Sequence, residues 1–158
     1  MSSEYDITDL DEFARQFDMK EIARRRWTHG AHLAVGLWHV HRYGPDVALQ
    51  RLRQGIRSLN EHYGNQNTES AGYHETITRA QVALLADFLQ RSDAAASLGE
   101  RYAQLMTSAL ADRDVLLRFY TRDYLMSNHA RAVWAEPDLA PLSAEGLIGS
   151  PLAAADSA

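Results

Sequence analysis

The stretch that decides the fold is Trp27-Thr28-His29-Gly30-Ala31-His32-Leu33-Ala34-Val35-Gly36-Leu37-Trp38-His39-Val40. At about 100° per residue, His29, His32, Gly36 and Val40 fall on one helical stripe, with Leu33 beside it. Val40 and Leu33 place that stripe toward a core, and Gly36 leaves room on it for a neighbouring helix or a ligand. His29 and His32 stand one turn apart, so both rings reach toward a common point. Imidazoles set into an apolar stripe are costly unless paired or ligated, which marks a candidate buried site.

Working outward, the pattern is helical nearly throughout, without strand alternation or hairpin dipeptides. Thr8 or Asp9 caps a first short helix to about Phe17, and a longer helix is expected from about Met19 to Tyr43. Gly44-Pro45 stops that helix and opens a third, to about His62, which carries Ala48, Leu52, Gly55 and Leu59 at helical spacing before Gly64 ends it. Residues 65–72 form a polar loop, long enough for a helical bundle to suggest a lid over a site. A fourth helix is expected from about Tyr73 to Arg91. A fifth runs from about Ala95 to Ala111, with a continuation from Asp112 to Tyr120, and a short one from Ser127 to Trp134. Residues 136–142 read as an extended segment laid on the bundle. The expected fold is all-α, a single helical bundle of four to five main helices spanning residues 1–142, with a disordered tail over 143–158.

The fourth helix repeats the theme of the second. In Tyr73-His74-Glu75-Thr76-Ile77-Thr78 and beyond, His74, Thr78, Gln81, Leu85 and Phe88 share one stripe, polar at its N-terminal half and apolar at its C-terminal half. A buried polar half needs partners, and His29 and His32 on a neighbouring helix are the expected ones. The candidate metal ligands are therefore His29, His32 and His74, with Glu75 as a fourth ligand or general base. Imidazole and carboxylate together suit a divalent zinc, iron, manganese or copper ion. Arg79, one turn after Glu75, is placed to pair with it or to hold an anionic substrate group. Gln81, Thr78 and His39 are candidates for contacts to a cofactor or substrate. His41, His62 and His129 read as surface residues. A satisfied packing role for each histidine is the competing reading.

Stronger motifs are missing. His74-Glu75-Thr76-Ile77-Thr78 resembles H-E-x-x-H but has Thr where the second histidine belongs. The chain has no Glu-x-x-His pair, Walker loop, dinucleotide fingerprint or G-x-S-x-G elbow. It has no cysteine, which excludes disulfides, thiol nucleophiles and thiolate metal sites. A net charge of −5 argues against broad nucleic-acid binding, and the run Arg24-Arg25-Arg26 is too short to change that. The apolar runs are shorter than a membrane span, and the opening Met-Ser-Ser-Glu-Tyr-Asp is acidic, so a cytoplasmic protein is expected, with homo-oligomerisation left open.

Residues 26–79 and 119–142 resemble a small bacterial family of all-helical proteins with W-T-H-x-A-H-L, Y-H-E-T-I-T and E-P-D-L motifs. The resemblance covers about half the chain and implies an all-helical unit, but no activity and no residue roles. From the residues themselves, the expected function is a small metal-dependent enzyme acting on a small polar molecule. The alternatives are a non-catalytic ligand- or cofactor-binding protein, or an interaction protein whose buried polar network specifies packing.

Overall fold

Asp9 starts the first helix: its carboxylate accepts the Glu12 N–H at 3.0 Å, and α1 runs over Leu10–Asp18. The computed structural model describes residues 7–149. Six further helices follow among the described residues: α2 (His29–Tyr43), α3 (Pro45–His62), α4 (Glu75–Arg91), α5 (Leu98–Thr107), α6 (Arg122–Leu125) and α7 (Asn128–Ala132), with no strand. The first five are the main ones, so the chain is an all-α bundle. None of these helices is long and apolar enough to cross a membrane.

The single helix expected from Met19 to Tyr43 is not formed. The Lys20 N–H bonds Phe17 O and the Glu21 N–H bonds Gln16 O, with Lys20 at φ +58°. That is a Schellman termination with lysine in the left-handed position usually held by glycine. The chain then passes through a short 3-10 turn, Arg24–Arg26, before Thr28 caps α2 by accepting the Ala31 N–H at 3.1 Å. Ile22, in the link before this turn, is buried in the core.

Gly44 at φ +80° and Pro45 in the first turn of α3 make the sharp corner between α2 and α3. Helix α2 is the centre of the bundle, packed against α1, α3, α4 and α5. Its buried residues Ala31, Leu33, Ala34, Val35, Leu37 and Val40 run around much of its circumference, as a central helix requires. A Cβ on Gly36 would lie 2.8 Å from Leu85 Cδ1, so this glycine lets α4 approach α2 closely.

After α5, opened by a Ser97/Glu100 capping box, the expected continuation over Asp112–Tyr120 is only short 3-10 turns. The extended segment 136–142 lies on the bundle as expected: Leu139 N–H donates to Phe119 O at 2.9 Å, and Asp138 accepts from the Thr121 N–H and hydroxyl. The expected tail from 143 is packed in its first part. Ala144 and Leu147 are buried, and the Ala144 N–H donates to Asp87 at 2.7 Å. Residues 150–158 lie outside the described residues.

Candidate functional site

The two histidine motifs part company in the folded chain. Trp27, Thr28, His29, His32 and Leu33 line a cavity of roughly 510 Å³ between α2, α3 and α4. Of the second motif, only Ile77 and Thr78 reach it. Gln81 also lines it, on the face of α4 one turn beyond, whereas His74, Glu75 and Arg79 do not.

His74 is the N-cap of α4. Its Nδ1 accepts the Ile77 N–H at 3.1 Å, and its Nε2–H donates to the Leu125 carbonyl at 2.8 Å. With both ring nitrogens engaged and the ring buried, His74 has no lone pair for a metal. Glu75 is held as a bidentate partner of Arg53, at 2.8 and 2.6 Å, and accepts the Tyr73 hydroxyl at 2.8 Å. Those hydrogen bonds, the Arg53 one foremost, hold its carboxyl below the ordinary range. It is thus an acceptor in a structural network and a poor general base. Arg79 is exposed and lies over the Trp134 ring at 4.4 Å; it forms no ion pair with Glu75. Thr76, fully buried, accepts the Ala135 N–H at 3.0 Å and donates to Val133 O at 2.9 Å. Most of the Y-H-E-T-I-T motif is therefore a clasp joining α4 to α3, α6 and the segment after α7.

The expected convergence of His29, His32, His74 and Glu75 is accordingly corrected. Among the described residues no group of three or more His, Asp or Glu is arranged to hold a metal ion. His39 also leaves the site. It is fully enclosed on the α1 side of α2, edge-on to Phe17 and Trp38. Its Nδ1–H donates to Val35 O at 2.7 Å, while Nε2 is buried without a hydrogen-bond partner, 3.9 Å from Asp18. The loop 65–72, expected as a lid, contributes nothing to the cavity wall. Asn67 ties it back to α3 through Asn60 and the Arg57 carbonyl.

What the structure does bring together is His29, His32, Thr78 and Gln81. The His29 Nε2–H donates to Ala111 O at 3.0 Å, and the His32 Nδ1–H donates to Thr28 O at 2.8 Å. Each bond fixes the tautomer of a neutral ring and leaves the other nitrogen, His29 Nδ1 and His32 Nε2, as a lone-pair acceptor with no partner among the described residues. Desolvation lowers the pKa of both imidazoles from the ordinary value, so both are neutral near pH 7. His32 is exposed, its ring tilted against Trp27 with centroids 4.0 Å apart. Thr78 donates its hydroxyl proton to His74 O. Gln81 makes no hydrogen bond among the described residues, so its amide is also available.

The apolar wall comes from Leu52 and Ile56 of α3 and from Val82 and Leu85 of α4. Leu52 and Ile56 stand four apart on one helix face and Val82 follows Thr78 by four; their spacing was visible, their role as a wall was not. Arg113, in the irregular segment after α5, closes the rim, and no spacing rule points to it. A mostly apolar cavity with a few unpaired polar atoms is the usual form of a small-molecule site. Compared with known proteins, the chain matches no family model, no curated protein and no solved structure.

Proposed function

We propose that the protein binds a small organic molecule in the cavity between α2, α3 and α4, with His29, His32 and Gln81 as its recognition groups. One observation carries this reading: a cavity of roughly 510 Å³, walled by aliphatic side chains, is also lined by His29 and His32, each with one ring nitrogen that the fold itself leaves unused. His32 is exposed and His29 half-buried, so water reaches these nitrogens in the free protein and a ligand donor would take its place. A ligand with a hydroxyl or N–H donor satisfies these nitrogens, and its apolar body covers Leu33, Leu52 and Leu85. Among the described residues no set of His, Asp and Glu supports a metal reading, with His74 and Glu75 committed elsewhere.

The test uses N-phenyl-1-naphthylamine, a neutral fluorophore with one N–H donor that brightens on entering an apolar pocket. Titration into the wild-type protein should give saturable, one-to-one enhancement. The double variant Ile56→Trp with Thr78→Trp narrows the cavity from two facing helices and should weaken binding at least fivefold, with far-ultraviolet circular dichroism confirming the fold. Binding undiminished in a folded double variant would remove the cavity from the account.

A further inference from the structure

The charge of the cavity says more about its occupant. Of the described side chains lining it, Arg113 alone is a full charge near neutral pH, since both imidazoles are held neutral. Among the described residues no carboxylate lines the cavity. Arg113 is exposed and makes no ion pair among the described residues, in contrast to Arg53 and Arg15, whose guanidinium groups are bound to Glu75 and Glu12. Its acidic neighbours do not take that place. Asp112 accepts the Asp114 N–H at 2.9 Å, folding back on its own loop, and neither Asp112 nor Asp114 lines the cavity.

We infer that the cavity selects an amphipathic monoanion. Its carboxylate or sulfonate pairs with Arg113 at the rim, its apolar body lies against Leu52, Ile56 and Leu85, and one hydroxyl or N–H in that body donates to His32 Nε2. This class follows from three complementary features in one cavity: an unpaired guanidinium suited to an oxyanion, an aliphatic wall, and a neutral imidazole that can only accept. A cationic ligand would meet Arg113 without a compensating carboxylate. A ligand lacking a donor would leave the imidazole nitrogens unsatisfied. The inference rests on the ligand-binding reading above.

A matched pair of probes separates the two. 5-Anilinonaphthalene-1-sulfonate is N-phenyl-1-naphthylamine with one sulfonate added on the far ring, away from the amine, so the pair share the apolar body and a free N–H donor. Both are titrated into wild-type protein, Arg113→Gln, Arg113→Lys and the cavity-narrowing double variant. Arg113 is exposed, so its substitution is compatible with folding. Arg113→Gln should weaken the sulfonate about tenfold and leave the neutral probe within about twofold, while Arg113→Lys recovers part of the loss. If both probes bind in the cavity but Arg113→Gln changes them equally or not at all, the anion inference fails and the pocket stands. If neither probe binds, or neither responds to the double variant, the pocket reading fails and the inference with it.

Discussion

Replacing His74 with alanine should destabilise the fold by about 2–4 kcal/mol, with no involvement of metal. The magnitude follows from its two hydrogen bonds. The Nδ1 that caps α4 through the Ile77 N–H is worth about 1 kcal/mol, as for other N-cap side chains. Loss of the Nε2–H leaves the carbonyl of buried Leu125 without its donor, at about 1–3 kcal/mol. His74→Asn should recover the first contribution, since asparagine is a strong N-cap, but not the second. It should therefore fall between alanine and wild type. Urea unfolding followed by circular dichroism reads the order directly, with midpoints shifting at constant slope. His74→Ala within about 0.5 kcal/mol of wild type would refute the clasp. A chelator that lowered wild-type stability to the level of the alanine variant would refute it differently, by restoring His74 as a ligand.

Acid should weaken the protein well before its carboxylates titrate. Desolvation lowers the folded-state pKa of His29, His32, His39 and His74 below the ordinary 6.5, so the unfolded chain binds more protons in that range. Their stability contribution is complete above about pH 6.5 and is lost as pH falls toward the folded values, at up to about 1.4 kcal/mol per pH unit for fully enclosed His39. A urea midpoint equal or higher at pH 5 than at pH 7.5 contradicts this. Gly55→Ala should lower the melting temperature despite better helix propensity, because the new methyl would collide with the ring of buried Phe17. Overpacking of about 1–3 kcal/mol outweighs a propensity gain of about 1 kcal/mol. A rise in melting temperature would show that the ring yields freely.

The elements legible in the sequence are those with local signals. Asp9 and Ser127 are capping residues by chemistry and cap as expected. Gly44-Pro45 marks the corner between α2 and α3 because each residue suits one side of it. The break after α1 carries no such mark, since the left-handed position falls on Lys20. The site divides likewise. The stripe of His29, His32 and Gly36 is a matter of helical angle and all three residues line the cavity. His74 misleads because imidazole is an unusual N-cap, so its position at the start of α4 gives no hint that the helix itself uses the nitrogen. The partners that commit the second motif, Arg53, Leu125 and Val133, are 22, 51 and 57 residues distant from Glu75, His74 and Thr76. Periodicity along one helix cannot reveal bonds of that range.

A ligand seated between α2, α3 and α4 would report itself at the residues that line the cavity. Backbone amide shifts of isotopically labelled protein, followed by NMR during titration with N-phenyl-1-naphthylamine, test this in the unmodified chain. The largest changes should fall on Leu33, Gly36, Gln81 and Leu85, with residues around His39 and the 65–72 loop nearly still. Changes centred away from the cavity, or none at saturating probe, would contradict it.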